Sequence, residues 1–251
     1  MRAFQFVLLI ATLVSVTATG QRSTLDERQL QEVRARINKL SEDFHPTQGI
    51  TRDVDPIHLR IRAEIDGYIR TAFNLAQTTS SEIEERLRAV LAEHIPNPGY
   101  GDQAFARVKD LRRDRSLIVA YTIMRPPHHD LATIRGYRGA QGRFELVATT
   151  GADFAGYNMF KAEIPSPIAG ELWLLAWGQG HTSNGSIMRF RVYSFDGATF
   201  KTVWSPDYFF GAKVTVTDRG FLIEHFSPAH APYPTKDEYV VTPQGPIRAR
   251  N

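Results

Sequence analysis

The feature that most constrains the fold is a change in hydrophobic period near residue 104. Beyond this point apolar and polar residues alternate; Met188, Phe190 and Val192, for example, are separated by Arg189 and Arg191. A period of two residues predicts strands with one buried face. Two stretches, 117–124 and 172–177, are instead almost continuously apolar, which predicts central strands covered on both faces. The chain from residue 100 to 251 is therefore expected to form an antiparallel β region.

Turn and aromatic positions recur along this β region. A tyrosine, a tight turn containing glycine and a phenylalanine follow one another in 137–144 and again in 193–200, with a weaker copy in 239–247. Repeated spacing of this kind is typical of architectures built from repeated sheet units. It divides the region into three units of roughly four strands each, at about 104–149, 157–205 and 212–250.

The recurring tyrosine, turn and phenylalanine resemble the repeats of a β-propeller blade. The resemblance implies that the three units form a partial, propeller-like arc. One twisted sheet or sandwich is the other arrangement that fits. A third interpretation is an ordinary meander, whose hairpins look alike because all tight hairpins need similar turn residues.

Three helices are expected before the β region, at about 24–44, 57–76 and 82–95, so the fold class is α+β. A Ser81–Glu84 capping box is expected at the start of the third helix. The predicted division is a signal peptide (1–20), an amphipathic helix with a linker (21–56), a helical hairpin (57–99) and the antiparallel β domain (100–251).

The first helix has an apolar stripe at spacings of three and four residues, formed by Leu30, Val33, Ile37, Leu40 and Phe44. Such a stripe either packs onto its own domain or joins two copies as a short coiled coil. Coiled coils normally need three or four heptads, and this stripe covers two. Packing on the same chain is therefore favoured, and a homodimer through helix 24–44 is the alternative.

The N-terminus has the pattern of a secretory signal peptide. Arg2 precedes a mostly apolar run over 4–16, and Ala18-Thr19-Gly20 supplies small residues for cleavage near Gly20. The apolar run is shorter than the roughly 20 residues that a membrane span needs, so no transmembrane span is expected after cleavage. The sequence contains no cysteine, which excludes disulfides and thiolate metal sites. We expect a periplasmic or extracellular bacterial protein.

Charge gives no indication of nucleic-acid binding. The formal net charge is +3, and the densest basic run, 112–115, is interrupted by Asp114. Proteins that bind nucleic acids usually concentrate basic residues in a stripe or patch. No nucleic-acid partner is predicted.

One candidate metal site is formed by His128, His129 and Asp130, which are residue types that bind metals. Adjacent residues of a strand point to opposite faces, so this segment more often serves as a connecting loop. A metal-dependent hydrolase using this loop would need ligands that are remote in sequence, namely His181, His225 or His230.

A candidate binding surface is aromatic. Exposed aromatic rings are common where proteins bind ligands or partners, and a cluster surrounds a proline turn, formed by Trp204, Tyr208, Phe209 and Phe210. His181 and Asn184 lie in a polar segment, 178–186, that follows a predicted central strand. Trp173 and Trp177 are expected to belong to the core.

The sequence contains no nucleophile elbow, phosphate loop or dinucleotide fingerprint, so no catalytic residue and no cofactor is predicted. The leading hypothesis is an exported binding or interaction protein whose partner is a protein or an envelope glycan. The alternatives are the metal-dependent hydrolase and a structural envelope protein that oligomerises through its N-terminal helix.

Overall fold

The computed structural model of the 251-residue chain describes residues 27–40, 56–92, 104–112, 114–123, 131–151, 154, 158–182, 185–226 and 234–249. Within them the fold is α+β, with helices followed by mostly antiparallel sheet. The predicted signal peptide and the linker 41–55 lie outside the described residues.

Helices precede the strands throughout. Helix α1 covers residues 27–40, α2 covers Pro56–Ala72 and α3 covers Ser80–Val90. The strands follow in chain order: β1 Ala104–Leu111, β2 Asp114–Ile123, β3 Leu131–Ala140, β4 Arg143–Thr149, β5 Asn158–Ile164, β6 Leu172–Thr182, β7 Gly185–Phe195, β8 Phe200–Trp204, β9 Phe209–Val216, β10 Gly220–Phe226, β11 Thr235–Thr242 and β12 Gly245–Arg248.

The strands form two antiparallel sheets. The first has the order β1-β2-β3-β4. The second has the order β12-β11-β10-β9-β7-β6-β5, and β8 pairs with β7 beside this path. The meanders β5–β8 and β9–β12 join where Ile187 pairs with Phe210 and Met188 pairs with Phe209.

The three helices cover one face of the first sheet. The α1 side chains Leu30, Val33, Ile37 and Leu40 are buried in one cluster with apolar residues of α2, α3 and β2. The apolar stripe of α1 is therefore used within the chain, as the packing interpretation expects. The surface that a homodimer through helix 24–44 would require is occupied over residues 27–40.

Helix α3 lies along the outer edge of β1. Ser80 Oγ accepts a hydrogen bond from the Val108 N–H at 2.9 Å, and Glu84 Oε1 accepts one from the Ala106 N–H, also at 2.9 Å. The helix is capped by Thr79, whose side chain accepts from the Glu82 N–H. The expected Ser81–Glu84 capping box is wrong, because the Glu84 carboxylate bonds to β1 instead.

Strand β2 is covered on both faces, as its apolar run predicted. Leu117, Val119 and Tyr121 face the helices, while Ile118 and Ala120 face the second sheet. On the other side of this second cluster lie apolar residues of β6 and β7, namely Leu172, Leu174, Ala176, Tyr193 and Phe195.

The second sheet folds over itself around a third cluster. Trp173, Leu175 and Phe190 come from β6 and β7, and Phe221 and Ile223 come from β10. The meander β9–β12 therefore lies against the face of β5–β8 that is turned away from the first sheet. Among the residues that the structure describes, no helix is long and apolar enough to cross a membrane.

Candidate functional site

Three large aromatic side chains are exposed together on the outer face of the second sheet. The exposed fractions are 55% for Tyr208, 48% for Phe226 and 38% for Phe210. Phe210 on β9 pairs directly with Phe226 on β10 and with Ile187 on β7. We call Tyr208, Phe210 and Phe226 the aromatic patch.

A β-bulge turns Phe210 outward. Gly211 has φ +54°, a left-handed conformation that glycine adopts without a steric penalty, and the β9–β10 register shifts at this point. Strict alternation would have placed Phe210 on the buried face with Ala212 and Val214. Phe209 takes the inward direction instead, and its ring centroid lies 5.1 Å from that of Phe190.

One arginine side chain contacts the aromatic patch, and a second follows it on the same strand. The guanidinium carbon of Arg189 lies 5.7 Å from the centre of the Tyr208 ring, and Arg189 Nη2 donates to the Tyr208 hydroxyl at 3.4 Å. Arg191 lies two residues farther along β7, on the same face as Arg189 because side chains alternate along a strand. Arg191 Nη1 donates to the Phe190 carbonyl at 2.7 Å. The patch therefore has a basic side along β7.

A histidine and a carboxylate lie behind the patch. His225 Nε2 and Asp237 Oδ2 are 3.1 Å apart, and Arg248 forms an ion pair with the other oxygen of Asp237. The ring of Phe209 packs edge-on against His225, with the centroids 4.7 Å apart. These contacts fix the ends of β9, β10 and β11 relative to one another and so support the strands that carry the patch.

The exposed surface is narrower than the sequence predicted. Trp204 packs against Phe221 and Tyr239, with ring centroids 5.4 and 5.0 Å apart, and both Trp204 and Phe209 belong to the third cluster. Tyr208 and Phe210 are exposed, as expected. Phe226 was missed because its strand is separated from 204–210 in sequence, although its position out of phase with Phe221 and Ile223 was a usable signal. Trp173 is fully buried, as predicted.

Several other candidate residues fall outside the described part of the chain. His128, His129, Asp130, Asn184 and His230 are among them. The backbone of His181 pairs with Ser186 at the end of β6. Among the residues that the structure does describe, no group of three or more His, Cys, Asp or Glu side chains is arranged to hold a metal ion.

A shallow cleft of about 290 Å³ lies between α3, β1 and β5. Arg107 pairs with both Glu84 (3.0 Å) and Glu163 (3.3 Å), and Lys109 also forms an ion pair with Glu163. These opposite charges compensate one another across the cleft. Their arrangement ties the three elements together and makes the cleft a structural junction.

A second polar network is buried between α2 and the first sheet. Arg135 binds the Asp66 carboxylate through Nε at 2.7 Å and through Nη2, and the Tyr137 hydroxyl donates to Asp66 at 2.6 Å. Burial, reinforced by the Asp66 charge, raises the pKa of Tyr137 well above its ordinary value. Burial likewise raises the pKa of Tyr121, whose hydroxyl has no hydrogen-bond partner in the described structure. The network fastens α2 to the sheet.

Comparisons with known proteins identify no family. No family model matches the chain, and no curated protein matches it. Among solved structures, the α-L-arabinofuranosidase Arb93A from Fusarium graminearum, in complex with an iminosugar inhibitor, is 13% identical with a TM-score of 0.34, over 62% of this chain and 50% of that chain. A mutant of the same enzyme is 14% identical with a TM-score of 0.29, over 52% and 42%. The chain spans half or less of these structures, and a likeness at this level supports no statement about function.

Proposed function

We propose that this is an exported binding protein, and that the aromatic patch is its binding surface. The observation that carries the proposal is the joint exposure of Tyr208, Phe210 and Phe226 on one face of the second sheet. Exposed rings of this kind are costly to leave in water and are recurrent anchors of binding surfaces. The supporting Phe209–His225–Asp237 contacts hold the strands in place before a ligand arrives.

The N-terminal sequence supports the proposal of export. The basic Arg2, the apolar run over 4–16 and the small residues before Gln21 form a signal-peptide pattern. We propose that the mature protein acts in the bacterial periplasm or outside the cell, where its partner is a protein or an envelope glycan.

We also propose that the three four-stranded meanders are copies of one propeller-like unit. Each consists of consecutive antiparallel strands, β1–β4, β5–β8 and β9–β12. The tyrosine and phenylalanine around the turn occupy equivalent places in the first two meanders: Tyr137 and Phe144 are both buried, and Tyr193 packs against Phe200. In this proposal the third meander has diverged and supplies the binding surface.

The function is tested by replacing all three patch residues with alanine. We expect the purified wild-type protein to bind isolated cell-envelope material and the triple variant to bind at least tenfold less, because anchor side chains commonly contribute 2 kcal/mol or more each. The measurement is the fraction of protein depleted from solution across a concentration series.

The matched control is Ile247→Ala, which removes an apolar side chain that is 56% exposed on β12, outside the patch. This variant should bind like the wild type, and all variants should unfold cooperatively. Equal binding by the wild type and the triple variant would show that the aromatic patch is not part of the binding surface.

A further inference from the structure

We propose that the aromatic patch binds an acidic polysaccharide, a glycan chain whose sugar units carry carboxylates. This inference rests on the proposed binding function and assigns its ligand class. The aromatic rings would contact the apolar faces of the sugar rings, and the arginines of β7 would bind the carboxylates.

The size of the patch favours a narrow ligand over a folded protein. A large aromatic side chain offers about 150–250 Å², so the exposed fractions of the three rings correspond to about 300 Å². A stable protein complex buries about 800 Å² on each partner. Among the neighbouring residues on the same face, Ile187 adds one apolar side chain, whereas Lys213, Glu224 and Lys236 are charged.

The arrangement of the rings suits a chain-like ligand. Ile187, Phe210 and Phe226 lie side by side on β7, β9 and β10, so this row runs across the strands. Two inter-strand spacings make the row about 10 Å long. Tyr208 lies beside the row with a hydroxyl that already accepts a hydrogen bond from Arg189. A row of apolar side chains, two of them aromatic rings, with polar groups along one side suits a sugar chain, which has apolar ring faces and a polar rim.

The charges beside the patch favour an acidic ligand. Arg189 and Arg191 lie on the same face of β7, whereas Lys213 on the outer face of β9 lies opposite Glu224 and is compensated by it. The Glu224 carboxylate is paired with Lys236 at 2.8 Å, which leaves Asp207 as the acid adjacent to Tyr208 along the chain. Arginine binds carboxylates in a planar, two-bond geometry and packs on aromatic rings. Basic charge therefore exceeds acidic charge at the β7 side.

The test compares acidic oligosaccharides with their own neutral forms. Titration calorimetry would measure binding of the full chain to oligogalacturonate and oligomannuronate of four to six units, and to the same oligosaccharides after carboxyl reduction. We expect the acidic forms to bind at least tenfold more tightly than the reduced forms, and this preference to shrink as salt is raised.

Two sets of variants separate the contributions. Arg189→Gln with Arg191→Gln should abolish the preference for the acidic forms, whereas Arg219→Gln, an exposed arginine at the β9–β10 turn, should leave it intact. Phe210→Ala with Phe226→Ala should weaken binding of both forms. Melting temperatures within a few degrees of the wild type would establish that each variant is folded.

The outcomes distinguish this inference from the proposed function. If no acidic oligosaccharide binds more tightly than its reduced form, the ligand class is wrong. If, in addition, envelope binding still depends on the patch, the binding function stands with a different partner. If envelope binding is also independent of the patch, both proposals fail.

Discussion

Two tyrosines of the first sheet differ in whether their hydroxyl groups are hydrogen-bonded. Tyr137 donates to the Asp66 carboxylate at 2.6 Å, whereas the fully buried Tyr121 hydroxyl has no hydrogen-bond partner in the described structure. Hydrogen bonds to charged groups contribute about 1.5–3 kcal/mol, and an unsatisfied buried polar group costs about 1–3 kcal/mol. We therefore expect Tyr137→Phe to lower the free energy of unfolding at pH 7 by about 2 kcal/mol, and Tyr121→Phe to leave it unchanged or raise it. Urea denaturation of both variants measures this difference.

The same two residues predict how stability changes at high pH. Burial raises the pKa of both tyrosines in the folded protein, while the unfolded value is about 10. Their contribution to stability is therefore complete below pH 10 and is lost as the pH rises above 10 towards the folded pKa. Tyr121→Phe should reduce the loss of unfolding free energy between pH 9 and 11. A variant that loses stability as steeply as the wild type would show that Tyr121 does not contribute.

At the residue scale, burial was more predictable than polar contacts. The apolar periodicity placed Ile37 and Val119 in the core correctly. It gave no indication that Asp66 and Arg135, which are far apart in sequence, would form an ion pair. That pairing depends on how α2 is laid across β3, and this is decided by the packing of whole elements.

Among the elements, α3 and β1 provide a direct test of edge protection. Ser80→Ala removes the acceptor of the Val108 N–H. An unsatisfied backbone donor costs about 1–3 kcal/mol when it is buried. We therefore expect the free energy of unfolding to fall by about 1 kcal/mol and the Val108 amide to exchange its hydrogen faster. Native-state exchange measured by NMR would report both the Val108 amide and, as an internal reference, the amide of Val119 on the central strand.

Ser81→Ala is the matched control, because the Ser81 hydroxyl lies 3.2 Å from that of Thr79 and is exposed. In the Ser81→Ala variant, the Val108 amide should exchange at the same rate as in the wild type. Equal rates in the two serine variants would mean that the Ser80 hydrogen bond does not protect the edge of β1.

Element types followed from sequence periodicity, but two details of their geometry did not. The bulge at Gly211 reverses the alternation, so Phe209 is directed inward and Phe210 outward. An isolated glycine inside a strand pattern is a known signal of a bulge, yet its effect on the register depends on the partner strand. Glu84 has the spacing of a capping residue, but its carboxylate accepts a hydrogen bond from β1 instead. A local sequence pattern contains no information about that strand.

At the scale of the whole molecule, burial of the α1 stripe predicts that truncating one of its side chains lowers the free energy of unfolding and leaves the molecular mass in solution unchanged. Ile37 is fully buried in the first cluster, so Ile37→Ala should cost about 2–5 kcal/mol of unfolding free energy. The sedimentation mass should be the same for the variant and the wild type. Arg28→Ala, which removes an exposed ion pair with Glu32, should have little effect on either quantity.

A mass that falls by half in Ile37→Ala would contradict this expectation and support dimerisation through α1.

The layered fold itself was only partly predictable. Sequence patterns indicated helices before an antiparallel region, but the pairing of β7 with both β8 and β9 depends on contacts between distant segments.

The position of α3 along the edge of β1 also bears on the order in which the chain is made. The helix precedes the strand in sequence. Ser80 and Glu84 therefore leave the ribosome before Val108 and Ala106, from whose amide N–H groups they accept hydrogen bonds. An edge strand is a site where chains add to one another. Here the groups that block the edge precede the edge strand in sequence, so no later strand is needed to cover β1.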